Sequence, residues 1–172
     1  MNKKKLNYRV TYLEMNKKPS FDWPKNLKHK LSILLAENFP AWYFLFFYKQ
    51  VGKNYYWTDW LRKSEDEIDE FVSDKNVLLY TLIKDGWPVG FYMLDYRKKD
   101  ICDLSFFGLV DEVIGIGLGK YLLQTAILTA WDSKKIKKLT VNTCSLDHKS
   151  AIYLYQKYGF TPVKYKDLEK TV

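Results

Sequence analysis

Apolar residues recur along this chain in two rhythms, one of two residues and one of about 3.6, and the switches between them mark out its elements. Residues 8–13, YRVTYL, alternate and predict a first strand. Residues 16–26 hold Asn16, Pro19, Pro24 and Asn26 and read as loop. From Lys28 to Asn38, Leu31, Leu34 and Leu35 sit at helical spacing and predict a helix. Pro40 breaks the chain or starts a second helix, AWYFLFFYKQVG, closed by Gly52. Ser64 with Glu67 three residues on is a capping-box pattern, and it launches a helix with Ile68, Phe71 and Val72 on its apolar side. The acidic run Glu65 to Glu70 suits the first turns of that helix.

Residues 77–83 predict a strand, Lys84-Asp85-Gly86 a hairpin turn, and Val89 to Tyr96 the returning strand. After a turn through Arg97 to Asp100 comes a further strand. In it Leu104, Phe106 and Gly108 alternate with Asp103, Ser105, Phe107 and Leu109. KYLLQTAILTAW, from Lys120, predicts a long helix, and Leu139 to Cys144 a strand. Asp147 is placed to cap a helix whose face carries Ala151, Leu154, Tyr155 and Tyr158, with Gly159 at its end. Phe160 to about Tyr165 is the last strand. The order is β, helices, β-β-β, α, β, α, β, with no repeat or linker, so the expectation is one α/β domain over residues 1–172.

Composition narrows the classes. Of 172 residues 47% are apolar and 17% aromatic, which suits one folded domain with a sizeable core. Cys102 and Cys144 match no metal or disulfide spacing and read as small core residues of a reduced, intracellular protein. His29 and His148 are too few for a metal site, so no metal is expected. The N-terminus has no apolar signal region, and the most apolar run, Phe39 to Tyr48, is about half of a membrane span. The expectation is a cytoplasmic protein with no membrane partner. A net charge of +8 invites nucleic acid, but the lysines are scattered and no recognition helix or RNA motif occurs, so none is expected. The same field attracts a phosphate-rich cofactor.

The candidate chemistry lies at Gly115-Ile116-Gly117-Leu118-Gly119, between a strand and a helix. Glycine lets backbone approach a ligand with no Cβ in the way, and the free N–H groups of a first helical turn face an anion. A P-loop would need glycine at Ile114 and Ser or Thr at Tyr121, and GxGxxG would need glycine at Lys120. Both patterns fail. The bland alternative is a glycine-rich turn between core elements.

Ile114 to Gly119 resembles the acyl-CoA loop [RQ]xxGx[GA] of the GNAT superfamily of N-acetyltransferases at both glycines and departs from it at Ile114. AIYLYQKYGF, Ala151 to Phe160, is similar to a second GNAT signature, AxxLYxxxGF. Thr143 to His148 fits a bacterial-type branch with the run TCxLDHxxAxxLYxxxGF, and YYWTD looks like its WxWTD stretch. The resemblance covers roughly residues 77–166, the acyl-CoA-binding core. It leaves residues 1–76 as an N-terminal strand and acceptor-side helices.

The implied fold is α/β (α+β): a mixed, mostly antiparallel central sheet flanked by helices, with a strand-loop-helix CoA site. The implied reaction moves an acetyl group from acetyl-CoA directly to a small amine or a peptide amine, in a monomer or homodimer. Backbone N–H groups of Gly115, Gly117, Leu118, Gly119 and Lys120 would hold the diphosphate, and that of Leu109 would meet the thioester oxygen. Asp103 is the only carboxylate on its strand and lies at the family's base distance from the final loop glycine; it would accept the amine's proton. Tyr155 matches the motif tyrosine that would protonate the leaving thiolate. Trp57 and Asp59, with Thr58 and Trp60 beside them, would line the acceptor pocket, where aromatics and a carboxylate suit a cationic amine. A catalytically silent acyl-CoA sensor of the same fold is the alternative.

Overall fold

The computed structural model describes residues 5–25 and 30–171. Its strands are β1 (Lys5–Met15), β2 (Leu31–Ala36), β3 (Val77–Lys84), β4 (Trp87–Asp95), β5 (Ile101–Leu109), β6 (Lys138–Cys144) and β7 (Thr161–Thr171). The helices are α1 (Ala41–Gly52), α2 (Glu65–Ser73), α3 (Leu118–Ser133) and α4 (Ala151–Lys157), with single 3-10 turns at Trp60–Arg62 and Asp111–Val113. All seven strands form one sheet in the order β2-β3-β4-β5-β6-β1-β7, antiparallel except where β5 meets β6. This is the mixed, mostly antiparallel sheet expected.

Neighbouring residues of β4 show which helix covers which face, because successive side chains point to opposite sides. Phe91 stacks on Phe47 of α1, with ring centroids 5.0 Å apart. The Tyr92 hydroxyl lies 3.1 Å from Thr129 Oγ1 of α3. α1 and α3 therefore sandwich the sheet. α2 joins the α1 face, where Phe44, Trp60, Phe71 and Phe106 form an aromatic cluster with centroids between 4.4 and 6.3 Å apart. The capping box of α2 is formed. Glu67 N–H donates to Ser64 Oγ (3.3 Å) and Ser64 N–H to Glu67 Oε2 (3.1 Å). Donation from Lys63 Nζ, from Ser64 N–H and from the Ser64 hydroxyl holds the Glu67 carboxyl down at about 2.

Two local expectations are corrected. Residues 31–36 are a strand, not part of a helix over Lys28 to Asn38; Lys28 and His29 lie outside the described residues. Leu31, Leu34 and Leu35 fit a helical period, but Leu31, Ile33 and Leu35 also fit a period of two. The open edge of β3 decides between them by pairing Leu31 with Lys84 through to Ala36 with Leu79. Gly52 closes α1 as expected, and its φ is not positive. It is glycine for space: a Cβ there would stand 2.3 Å from Trp57 Cβ. β7 also runs on past Tyr165 to Thr171, drawn out by an eleven-residue β1 beside it.

β5 sets up the site. Met93 pairs with Phe106 but its neighbour Leu94 pairs with Leu104, so Ser105 bulges out with no counterpart on β4. Leu104 and Phe106 consequently face opposite sides, against the plain alternation expected of this strand. Parallel pairing with β6 is confined to Ile101–Lys138, Cys102–Leu139 and Asp103–Thr140. Beyond it β6 stays with β1, and β5 runs on alone to Leu109. The two strands part as a wedge. Val110 N–H donates to Val89 O (2.9 Å), and Gly90 pairs with Leu109. The alternation of an antiparallel ladder then turns the N–H and C=O groups of Leu109 and Phe107 toward the wedge.

Candidate active site

A cavity of about 470 Å³ occupies the wedge. At one end it is lined by Gly115, Gly117, Gly119 and Lys120, in the middle by Phe107, Leu109 and Tyr155, and at the other end by Val51, Tyr55, Trp57 and Phe106.

The glycine end is made of backbone. Gly115 and Gly117 have φ of 88° and 89°, a left-handed geometry in which a Cβ is strained. A Cβ built on either would meet nothing within 4 Å, so that side of the loop is open. α3 begins at Leu118, two residues earlier than its apolar rhythm predicts, and no side chain caps it. Its first N–H groups and the positive end of its dipole are left free. Leu118 buries its side chain in the core, so only its backbone serves the loop. Lys120 is exposed on the cavity wall, with no ion-pair partner among the described residues.

In the middle, Tyr155 of α4 is buried, its ring against Phe107 (6.0 Å) and Phe160 (5.8 Å). Burial, and the charge of Asp147, push its phenol above the usual tyrosine range. Its hydroxyl has no hydrogen-bond partner among the described residues, and Tyr155 lines the cavity.

The aromatic end is made of side chains tied to one carboxylate. Asp147 Oδ1 accepts from Trp57 Nε1 (3.1 Å), while Oδ2 accepts from Thr143 Oγ1 (2.8 Å) and Cys144 N–H (2.7 Å). Asp147 was expected to cap α4, but the residue before that helix is Ser150, which makes no capping bond. Instead it straps the α1–α2 connection to the β6–α4 turn and fixes the Trp57 ring against Tyr48 (5.4 Å) and Phe106 (6.0 Å). His148 also lines the cavity, and its Nδ1 faces both donors of Ser150, Oγ at 2.7 Å and N–H at 3.3 Å.

Five expected site residues lie outside the lining: Leu118, Thr58 and Trp60, and the two carboxylates Asp59 and Asp103. Asp59 is exposed, and its carboxylate pairs with Lys170 Nζ at 2.9 Å. Asp103 stands one layer behind the wall, where the parallel pairing ends. Ser105 Oγ donates to its Oδ2 (2.8 Å) and Thr140 Oγ1 to its Oδ1 (2.6 Å). Ser105 itself lines the cavity. No group of carboxylates, histidines and cysteines arranged to hold a metal occurs among the described residues, and no helix there is long and apolar enough to cross a membrane.

A glycine cradle at a helix start thus opens onto a wedge between two parallel strands. The sequence model of the acetyltransferase (GNAT) family matches residues 35–160, and the chain belongs to that family. Among curated proteins none matches. Solved structures with the same fold include a GCN5-related N-acetyltransferase from Kribbella flavida (13% identity, TM-score 0.63, 95% of this chain and 57% of that one). A GNAT family acetyltransferase from Elizabethkingia anophelis with acetyl-CoA bound is 23% identical, with TM-score 0.57 over 78% of each chain. An IAA acetyltransferase from Bacillus cereus is 24% identical, with TM-score 0.54 over 77% of this chain and 79% of that one. At these identities the likeness is one of fold. The chain spans 57% of the Kribbella flavida chain and 51% of a Sphaerobacter thermophilus N-acetyltransferase chain.

Proposed function

We propose that this chain is an N-acetyltransferase that moves an acetyl group from acetyl-CoA directly to the nitrogen of a small amine or a peptide amine. The observation that carries the reading is continuity: the cavity joins an uncapped helix start, the unpaired backbone edge of β5 and a buried phenol. The residues present fit a diphosphate, because Cβ positions on Gly115 and Gly117 face open space. Backbone N–H groups of Gly115, Gly117, Leu118, Gly119 and Lys120 hold it, and Lys120 adds a charge. Acetyl-CoA, when bound, supplies the acetyl group as a thioester.

Leu109 presents a backbone N–H toward the thioester oxygen. Tyr155, kept protonated by its burial, gives its proton to the departing thiolate. Asp103 is the ultimate proton acceptor. Trp57, held by Asp147, forms the acceptor-side wall, and Asp59 with Lys170 borders it from outside.

The test is the melting temperature with acetyl-CoA, set against ATP, NAD and a short DNA duplex at matched ionic strength. A ligand bound only by the folded state raises stability by mass action. A rise with acetyl-CoA alone is expected; a rise only with one of the others means the glycine loop serves a different ligand. A second reading, an acyl-CoA sensor without turnover, is favoured by one observation: Asp147, the carboxylate in the lining, has both oxygens engaged. Acetyl-CoA binding with no thiol release toward any amine would support it.

A further inference from the structure

The proposed base does not reach the cavity, yet a hydroxyl stands between the two. We infer that Ser105 is a catalytic relay: its Oγ receives the acceptor's proton while its own proton passes to Asp103. This deepens the acetyl-transfer reading and rests on it. Three observations carry it. The bulge leaves Ser105 without a partner on β4 and places it in the cavity wall. Its Oγ already donates to Asp103 Oδ2 at 2.8 Å, so the relay bond exists before substrate arrives. Thr140 Oγ1 holds the other oxygen, Oδ1, at 2.6 Å, which aims the carboxylate at Ser105.

The bulge is itself informative. A regular β5 would put Phe106 on the face of Leu104 and would keep Ser105 in register with β4. The extra residue turns the ring of Phe106 onto the α1 side, where it borders the acceptor end. One irregularity thus supplies both a wall and a proton path.

The lone pair of the amine nitrogen forms the new C–N bond at the thioester carbonyl carbon, and the C–S bond breaks. The N–H proton passes to Ser105 Oγ as the Ser105 hydroxyl proton moves to Asp103 Oδ2. Tyr155 protonates the sulfur. Asp103 then loses its proton to solvent and Tyr155 regains one, restoring both groups.

The experiment follows thiol release from acetyl-CoA with tryptamine, spermidine and a lysine-containing peptide as probe amines, and with water alone. Acetyl-CoA affinity is measured by calorimetry in parallel. Ser105→Ala is expected to slow release about 100-fold with unchanged acetyl-CoA affinity. Asp103→Asn should do the same, and the double variant should be no slower than either single one, because a relay fails as a unit. Ser105→Thr, which keeps the hydroxyl, should restore most of the rate. In protein labelled with 13C at aspartate carboxyls, the resonance lost in Asp103→Asn should move in Ser105→Ala and return in Ser105→Thr. A normal rate in Ser105→Ala, effects that multiply in the double variant, or an unmoved resonance overturns the relay while acetyl transfer stands. Acetyl-CoA binding without release toward any probe overturns acetyl transfer itself, and the relay with it.

Discussion

At one end of the cleft the protein works with its backbone, and at the other with side chains held by a single carboxylate. Gly115 and Gly117 contribute φ near +90° and the absence of a Cβ, and α3 contributes free N–H groups. Among the described residues no side-chain hydrogen bond shapes that loop from within. The aromatic end depends on Asp147, which gathers Trp57, Thr143 and Cys144 from two distant segments. A site for a part common to many reactions, such as a diphosphate, can be built from groups every residue carries. A site for a particular acceptor must be built from side chains, and those need their own supports. The two ends should therefore fail separately.

The largest effect should come from Gly117→Val. The branched side chain is strained by about 1–2 kcal/mol at this φ and projects into the loop's open side. Acetyl-CoA affinity, measured by calorimetry, should fall at least about 100-fold, while the near-ultraviolet signal of the aromatic end stays as it is. Intact affinity would remove the loop from the site. Tyr155→Phe sits between the two ends. Turnover should fall about 10–100-fold with acetyl-CoA affinity unchanged, because what is lost is a proton donor and not a contact; equal losses in both would assign the hydroxyl to binding.

Gly52→Ala addresses the aromatic end alone. Its Cβ would stand 2.3 Å from Trp57 Cβ, an overpacking that costs about 1–3 kcal/mol and pushes Trp57 off Asp147. Thermal stability and acceptor use should drop, and acetyl-CoA affinity should survive. Loss of that affinity would show that the ends are coupled. The smallest effect is a pH dependence. Burial pushes the Tyr48 phenol up to about 12, against an ordinary 10, and lifts Tyr92 and Tyr96 as well. A raised folded value means that stability is complete below pH 10 and is lost as pH climbs from 10 through 12. The melting temperature should fall over that window, and Tyr48→Phe should make the fall shallower.

These differences also explain what the sequence shows by itself. Glycines at a strand-to-helix junction are legible because their purpose is local: a positive φ and a missing Cβ. The Ser64–Glu67 box and the Asp85–Gly86 turn, with φ of 51° and 92°, are legible for the same reason. Residues 31–36 are not, since six residues carry both rhythms and the choice belongs to the edge of β3. The bulge at Ser105 is a relation between β4 and β5, so no alternation within β5 announces it. Asp147 has the right residue type and position for a helix cap, and only the approach of Trp57 from ninety residues away gives it other work. Asp103 and Asp59 are legible only as carboxylates near the right elements. The depth of one behind Ser105, and the pairing of the other with Lys170, depend on packing that spacing does not encode.

The place of β1 has a consequence for how the chain comes together. This strand precedes both of its partners in the sequence and lies between β6 and β7, pairing Val10 with Cys144 and Lys5 with Thr171. Its partners thus lie far along the chain from it, while β3, β4 and β5 meet their neighbours within a few tens of residues. Contacts this distant in sequence are slow to form. During synthesis the β3–β5 half can assemble early, and β1 must wait, exposed, until residues 138–171 arrive. The wedge between β5 and β6 is the seam along which an early half and a late half are joined.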